Sequence, residues 1–161
     1  MVDGNDDNPD RPLVPRHTGR GIVIRNGNIL LMERWRPGKH YFSIPGGGIE
    51  ADETPEQAAI REIYEETTIV AKPTRLVLVM QDGDIKHSIF LCEFLSGVPE
   101  LTVDSPEAIG MSEDNRFKPG WIKIDDLDEL SFIYWEPLKK PLIEGIKTNF
   151  AGGPVTVTII S

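Results

Sequence analysis

Residues 46–69 read GGGIEADETPEQAAIREIYEETTI, a glycine triplet followed by helix-forming residues that are rich in acids. Thr54 is placed to cap a helix, Pro55 suits the first helical position, and Gln57 completes a capping box three residues after the cap. Glycine gives the preceding loop the backbone freedom to approach a ligand closely. We therefore expect a helix over residues 56–66 that is entered from a ligand-binding loop.

The predicted helix has two faces of different character. The face expected to pack on the core carries Ala59, Ile60, Ile63 and Thr67. The other face carries three acids at i, i+3 and i+4, which are Glu62, Glu65 and Glu66. Like charges this close repel one another unless a cation offsets them, and carboxylate oxygens suit Mg²⁺ or Mn²⁺. The cluster predicts a site for a metal–phosphate complex; the alternative is an ordinary solvated helix face.

Sequence outside this stretch indicates strands and one more helix. Asn26-Gly27 lies between two apolar runs and predicts a hairpin with a type I′ turn. Strand patterns follow at residues 41–45, 75–80, 88–94, 117–124 and 155–160, with an acidic turn at 125–130 and an amphipathic helix at 137–148. Residues 1–15 read as a flexible N-terminal tail, and residues 16–161 as a single domain.

Composition narrows the class of protein. The 161 residues include 26 acids and 17 bases, for a formal net charge of −9. This argues against a nucleic acid polymer as partner, because such binding depends on Lys and Arg neutralising phosphates. The N-terminus has neither the basic nor the apolar region of a signal peptide, and no apolar run is long enough to cross a membrane, so we expect a cytoplasmic protein. Cys92 is expected to be inert core.

Charge is nevertheless unevenly distributed around the helix. Residues 11–46 contain seven bases and one acid, whereas residues 47–69 contain seven acids and one base. Such runs are usually solvated surface. Their adjacency here also fits a small anionic ligand held between cationic side chains and a carboxylate-bound metal.

At this point the chain resembles the Nudix hydrolase family, whose signature is G-x5-E-x7-R-E-U-x-E-E-x-G-U with U aliphatic. Eight of the nine specified positions match, and they are Gly47, Glu53, Arg61, Glu62, Ile63, Glu65, Glu66 and Ile69. The entry YFSIPGGGIE at residues 41–50 is similar to that of the MutT-like group. The resemblance implies an α/β fold, a Nudix-type α/β/α sandwich with a mixed β-sheet between helices.

The one departure from the signature is Thr68, where the family has glycine. Glycine there closes the helix in a left-handed conformation, which a β-branched residue adopts poorly. We expect an altered helix exit in which the Thr68 hydroxyl caps a carbonyl.

The resemblance also implies roles for matched residues. Glu65 and Glu66 resemble the main metal ligands, Glu62 a further ligand or the general base, and the Gly46 carbonyl an additional contact. Gly47, Glu53 and Arg61 resemble the structural support of the site, with Arg61 orienting carboxylates. For catalysis the resemblance offers Glu62, Glu65 or a later acid, of which Glu107 is the first choice and Glu113 the second.

Candidates for substrate binding come from the residues before the glycine triplet. Arg34 and Arg36, and less strongly Arg20, are placed to hold phosphate, with plain surface bases as the alternative. Tyr41 and Phe42, and also Trp35, are placed to stack on a base, with core packing as the alternative. His17, His40 and His87 have no metal-ligand spacing among them.

The reaction that the resemblance implies is hydrolysis of the diphosphate linkage in a nucleoside diphosphate derivative, with Mg²⁺ or Mn²⁺ as cofactor. A nucleoside triphosphate giving NMP and pyrophosphate is the default substrate. Residues 84–87 carry neither the proline nor the tyrosine that mark ADP-ribose and dinucleoside polyphosphate enzymes of the family. The alternatives are an ADP-ribose or other nucleotide-sugar pyrophosphatase, a non-catalytic nucleotide-binding module, and an isomerase-like branch. The partner is a small-molecule nucleotide, and a homodimer is compatible with the family.

Overall fold

The structure is a computed structural model, and it describes residues 16–101, 111–112 and 115–160. The predicted N-terminal tail lies outside these residues. So do the two later acids proposed for catalysis, Glu107 and Glu113. Both remain predictions.

Within the described residues, the chain folds into eight strands and two α-helices with one 3-10 helix between them. The strands are β1 (Arg16–Arg25), β2 (Asn28–Arg36), β3 (Lys39–Ser43), β4 (Gly46–Gly48), β5 (Val70–Asp82), β6 (Ile85–Ser96), β7 (Arg116–Lys123) and β8 (Val155–Ile159). The helices are α1 (Pro55–Thr67), the 3-10 helix (Ile124–Glu129) and α2 (Glu136–Thr148). No helix of the described residues is long and apolar enough to cross a membrane.

The strands form one mixed sheet in the order β3-β2-β1-β6-β5-β8, with β4 also paired to β1 and β7 to β2. The pairs β1–β6 and β5–β8 are parallel, and the other pairs are antiparallel. Strand β1 changes its antiparallel partner along its length: Arg20 pairs with Gly46 of β4, and Ile24 pairs with Ile29 of β2. This change opens the sheet between β1 and β2, next to the glycine strand.

The hairpin prediction is confirmed. Asn26 and Gly27 have φ of 52° and 78°, as a type I′ turn between β1 and β2 requires.

Apolar side chains alternate between two cores, one on each face of the sheet. Ile22 and Leu31 belong to the core that packs against α2, whereas Val23 and Leu30 belong to the core that packs against α1. A mixed sheet between helices is the predicted α/β/α sandwich, so the fold prediction is confirmed.

Helix α1 begins as predicted. Thr54 accepts the Gln57 N–H, the Gln57 side chain accepts the Thr54 N–H, and Pro55 occupies the first turn. The predicted core face is correct at Ala59, Ile63 and Thr67, which are fully buried. It is wrong at Ile60, which is 41% exposed because it lies on the same exposed face of the helix as Tyr64. Ala58 is buried on the core face instead.

The expectation for Thr68 is also corrected. Thr68 adopts the left-handed conformation (φ 63°, ψ 5°) that glycine would supply, and its N–H donates to the Tyr64 carbonyl at 2.8 Å. Its hydroxyl donates to the Val98 carbonyl at 2.6 Å, outside the helix, and does not cap a helix carbonyl. The exit therefore keeps the geometry of a left-handed helix cap and gains a tie to the segment after β6.

Candidate active site

A cavity of about 350 Å³ opens between the splayed strands, the glycine strand β4 and helix α1. Its lining combines carboxylates of α1, arginines of β1 and β2, and a group of aromatic rings. These side chains belong to Glu62, Glu66, Arg16, Arg20, Arg34, Tyr41, Phe42, Phe117, Phe132, Tyr134 and Trp135. A cavity of this size lies in the range of small-molecule sites.

Glu66 and Glu62 are the two helix carboxylates that reach the cavity. Glu66 is only 9% exposed, and its carboxylate accepts the Gly46 N–H at 3.1 Å. The Glu62 carboxylate accepts a hydrogen bond from Arg61 at 2.9 Å. A Cβ atom added at Gly47 would lie 2.5 Å from Glu62 Cδ, so that only glycine fits this position without a shift. Helix and glycine strand are therefore in direct contact at the carboxylates.

Glu65, the third acid of the predicted cluster, points elsewhere. Its carboxylate lies 3.2 Å from the Arg61 guanidinium, its side chain is 43% exposed, and it is not among the residues lining the cavity. The structure therefore brings Glu62 and Glu66 to the cavity and leaves Glu65 at its outer side.

Arg61 and Glu53 form the centre of an ion-pair network beneath these acids. Glu53 accepts two hydrogen bonds from the Arg61 guanidinium, at 2.7 and 3.0 Å, and one from the Glu50 N–H at 2.9 Å. The Arg61 hydrogen bonds, followed by that of Glu50, lower the pKa of Glu53 to about 2. The hydrogen bonds to Glu53 and then to Glu62 raise the pKa of Arg61. Arg61 also donates to the Gly48 carbonyl at 2.9 Å. Arg61 thus ties the acidic loop, the helix and the glycine strand together.

The donor chemistry of this region suits a hard divalent cation. Carboxylates of Glu62 and Glu66 face one cavity beside a strand with no side chains, and oxygen donors are the ligands that Mg²⁺ prefers. Among the described residues, however, no group of three or more His, Cys, Asp or Glu side chains converges on one point as a metal site requires. The Gly46 carbonyl lies 3.4 Å from the Arg20 guanidinium. Arg61 binds the Glu62 and Glu65 carboxylates, and the Gly46 amide binds that of Glu66.

Three arginines supply the opposite charge. Arg34 is only 7% exposed, and its guanidinium lies 3.7 Å from the centre of the Phe117 ring and 5.7 Å from that of Tyr41. Arg20 donates to the Ile44 carbonyl at 2.8 Å and lies over the Trp135 ring at 4.8 Å. Arg16, also at the cavity, packs against Gly48, and its guanidinium would have to move to admit a Cβ atom there.

Some of the residues predicted to bind substrate line the cavity, and others do not. Arg34, Arg20, Tyr41 and Phe42 line the cavity. Arg36 does not; it lies at the end of β2, paired with Lys39. Trp35 also lies outside the cavity lining, where its ring stacks on His40 with 5.1 Å between centroids.

Sequence reasoning missed several residues that the structure adds to the cavity. Arg16 and Thr18 alternate along β1 with Arg20, which was predicted, and this period of two could have shown that they share its face. His87 could not be found in this way, because it reaches Thr18 only through the parallel pairing of β1 with β6. Asp82, Phe132, Tyr134 and Trp135 come from the end of β5 and the loop before α2, where no local pattern marks them.

His87 is a buried, neutral member of this group. Its Nδ1 accepts hydrogen bonds from the Thr18 hydroxyl at 2.7 Å and from Arg20 Nε at 3.1 Å. Burial, and then the charges of Arg20, Arg16 and His17, lower the pKa of His87 to about 2. The imidazole therefore stays uncharged across the physiological range.

Comparisons of the sequence and of the structure with known proteins both find similar hydrolases. The NUDIX domain family model matches residues 15–144. Diphosphoinositol polyphosphate phosphohydrolase 3-alpha of Mus musculus is 32% identical over 130 residues, which cover 78% of this chain and 75% of that protein. The MutT NUDIX hydrolase of Burkholderia pseudomallei is 28% identical with a TM-score of 0.55, covering 70% of this chain and 85% of that one.

An ADP-ribose pyrophosphatase of Streptococcus suis has a TM-score of 0.63 over 90% of this chain and 99% of that one. At 17% identity this likeness concerns the fold alone.

Proposed function

Since the chain belongs to the NUDIX family and is a hydrolase of diphosphate linkages in nucleotide derivatives, we propose that it hydrolyses nucleoside triphosphates to NMP and pyrophosphate with Mg²⁺. The supporting observation is the composition of one cavity. It places the Glu62 and Glu66 carboxylates beside three arginines and a group of aromatic rings. A triphosphate with an attached base needs cationic, metal-binding and flat apolar surfaces together.

The phosphate end of the substrate is assigned to the arginines. Arg16, Arg20 and Arg34 are charged at every physiological pH, and the guanidinium fork matches phosphate oxygens. Stacking on Phe117 holds the Arg34 guanidinium in a fixed orientation. An arginine fixed in this way loses little conformational entropy when it binds phosphate.

Glu62 and Glu66 would hold the cation, with Glu65 and the Gly46 carbonyl as further proposed ligands. When bound, Mg²⁺ would neutralise phosphate charge and lower the pKa of water. Arg61 orients the acids through its hydrogen bonds to Glu62 and Glu65. Its bonds to Glu53 keep it from swinging into the cavity.

Glu62 is the best placed of the proposed general bases. Both carboxylates accept a hydrogen bond from Arg61, but Glu62 lines the cavity beside Gly47, whereas Glu65 does not line it. A general base must come within hydrogen-bond reach of the attacking water or reach it through one other water. Glu107 remains a second proposal for this role.

The aromatic end of the cavity is assigned to the base. Phe132, Tyr134 and Trp135 follow the 3-10 helix and line the cavity, and the Trp135 ring lies 5.2 Å from that of His87. Aromatic rings stack on any nucleobase, so this surface favours nucleotides as a class.

A diphosphoinositol polyphosphate is the second candidate substrate, because of the 32% identity to an enzyme with that name and the three arginines. The two candidates differ in what the aromatic rings would contact. An inositol ring that carries several phosphates presents anionic oxygens to that surface, whereas a nucleobase presents a flat π-face.

A substrate panel decides between them. Purified protein with Mg²⁺ is incubated with nucleoside triphosphates, ADP-ribose and a diphosphoinositol polyphosphate, and the products are separated by ion-exchange chromatography. Release of NMP and pyrophosphate in equal amounts supports the proposal. Faster turnover of the inositol compound than of every nucleotide would select the second candidate, and NDP with inorganic phosphate would contradict the assigned bond.

A further inference from the structure

Residues 131–135, between the 3-10 helix and α2, form an aromatic loop that lies against strand β3. This loop supplies three of the rings that line the cavity, which are Phe132, Tyr134 and Trp135. A hydrogen bond joins its backbone to β3, because the Phe42 N–H donates to the Ser131 carbonyl at 2.9 Å. The position of these rings in the cavity therefore depends on how the loop packs on β3.

A lysine outside the cavity holds the hydroxyl end of one of these rings. Lys39 is the first residue of β3 and is not among the residues that line the cavity. Its Nζ donates to the Tyr134 hydroxyl oxygen at 2.9 Å. A hydrogen bond from a charged donor is stronger than one between neutral groups. The aromatic loop is thus tied to β3 at two places, by its backbone at Phe42 and by the Tyr134 side chain at Lys39.

A second residue of β3 packs against the side of the same ring. Tyr41 and Tyr134 meet edge to face, with 5.2 Å between their centroids and 86° between their planes. Both residues line the cavity. The orientation of the Tyr134 ring is therefore set by two contacts with β3, of which only the one with Lys39 lies outside the cavity.

We propose that Lys39 is a positioning residue for the nucleobase. By holding Tyr134, it fixes the aromatic surface on which the base stacks, and it takes no part in cleavage of the diphosphate. This inference rests on the proposed nucleotide substrate. Aromatic rings attract one another only in a few arrangements, so a Tyr134 ring that is free to tilt binds the base less tightly.

The groups assigned to phosphate and metal are held by other contacts. The Arg34 guanidinium lies 3.7 Å from the centre of the Phe117 ring, and Glu66 accepts the Gly46 N–H at 3.1 Å. Neither contact involves Lys39 or the aromatic loop. Removal of the lysine should therefore weaken binding of the base and leave the cleavage step unchanged, which distinguishes positioning from a general loss of structure.

The test measures kcat and KM for the nucleoside triphosphate that the wild type hydrolyses fastest. Lys39→Met removes the donor and keeps a long side chain, and Lys39→Arg keeps a charged donor. Tyr134→Phe removes the hydroxyl that accepts, and the double variant Lys39→Met/Tyr134→Phe removes both partners. Lys140→Met is the matched control, because Lys140 is an exposed lysine of α2 that does not line the cavity.

We expect Lys39→Met and Tyr134→Phe each to raise KM about threefold to tenfold, the effect of one lost hydrogen bond, with kcat unchanged. The double variant should have the KM of either single variant, because both substitutions break the same bond. Lys39→Arg should recover part of the loss, and Lys140→Met should match the wild type.

Melting temperatures identify variants that fail to fold; if Lys39→Met is one of them, Lys39→Arg and Tyr134→Phe carry the test. An unchanged KM in the folded variants, a fall in kcat in place of the rise in KM, or additive effects in the double variant would overturn the proposal.

A binding measurement keeps this test separate from the proposed reaction. AMP and pyrophosphate are titrated calorimetrically into the same proteins without Mg²⁺. If no nucleoside triphosphate is hydrolysed, the proposed reaction fails, but a loss of affinity for AMP alone in Lys39→Met, of about threefold to tenfold, still supports the positioning role. No binding of AMP by the wild type, equal affinity for AMP in the wild type and Lys39→Met, or an equal loss for both ligands overturns it.

Discussion

The Gly46 amide donates to the Glu66 carboxylate at 3.1 Å, joining two residues that are 20 positions apart. The bond fixes the last turn of α1 against the start of β4, and Gly47 then contacts Glu62 one turn earlier. Because both contacts link the same two elements, the positions of the cavity carboxylates depend on β4 as much as on the helix that carries them.

Replacement of either cavity carboxylate should abolish most turnover. We expect Glu62→Gln and Glu66→Gln each to lower kcat by about a hundredfold or more, because Glu62 is the proposed base, a role that contributes roughly 10²–10⁴-fold, and Glu66 is a proposed metal ligand. The amide is nearly the same size, so circular dichroism spectra should not change. Glu56→Gln, at an exposed acid of the first turn of α1, is the control. Near-normal turnover in both variants would contradict the assignment of the acids.

Gly47→Ala should impair activity because the added methyl group collides with the Glu62 carboxylate. The added Cβ would lie 2.5 Å from Glu62 Cδ, so the carboxylate must move. Displacing a group that orients a site typically costs about 10–100-fold in activity. Gly120→Ala is the matched control, since nothing lies within 4 Å of its Cβ position. Equal kinetic constants in the two variants would show that Glu62 tolerates the shift.

Acid should weaken the contribution of Glu53 to stability. The pKa of Glu53 is lowered from 4.5 to about 2 in the folded protein. A lowered carboxyl pKa stabilises the fold above the unfolded value, and this contribution is lost as the pH falls through the folded value. In urea denaturation, the free energy of unfolding of Glu53→Gln should lie below that of the wild type at pH 7, and the gap should close from pH 4.5 toward pH 2.

Glu144→Gln on α2 serves as the reference for this measurement, because Glu144 is an exposed acid. A gap between wild type and Glu53→Gln that stays constant with pH would refute the ionic origin of the stabilisation.

Two substitutions at Thr68 distinguish the contribution of its hydrogen bond to stability from the cost of its left-handed backbone. Thr68→Ala keeps the left-handed conformation and loses the bond to the Val98 carbonyl, so we expect a loss of about 1 kcal/mol, or roughly 2–4 °C in Tm. Thr68→Gly loses the same bond but relieves the strain, and its Tm should lie above that of Thr68→Ala. Calorimetry gives both values. The reverse order would show that strain at this residue is negligible.

The Cys92 thiol should be unreactive in the native protein. Burial raises the pKa of Cys92 to about 12, so the thiolate that reacts with disulfide reagents is scarce at pH 8. We expect labelling only after denaturation, followed as absorbance of the released reagent. Native labelling as fast as that of the unfolded chain would contradict the burial.

Local signals in the sequence were enough to predict helix α1 and the hairpin. The capping box depends on residues three positions apart, and the type I′ turn on Asn26 and Gly27 alone. Such interactions are complete within one element, so spacing identifies them. The family signature then predicted the α/β/α arrangement, which the two cores confirm.

The features that the sequence could not predict depend on packing between elements that are distant along the chain. His87 and Trp135 have no local mark, and they meet at the cavity because β6 pairs with β1 and the 3-10 helix directs the next loop back toward the sheet. Glu65 and Glu62 have the same spacing signal and both accept a hydrogen bond from Arg61, but only Glu62 lines the cavity. Periodicity predicts which helix face a residue occupies, whereas the neighbouring elements decide what that face meets.

The parallel pairing of β1 with β6 has a consequence for the order of folding. Thr18 and His87 are 69 positions apart, so their contact requires closure of a long loop, whereas β5 and β6 are joined by a tight turn at Gly83-Asp84. We expect the β5–β6 hairpin to gain protection first in pulse-labelling hydrogen exchange, and β1 to join it later. Catalytic competence would then arise in the last step of refolding, after most secondary structure has formed; activity that recovers together with β5–β6 protection would exclude this order.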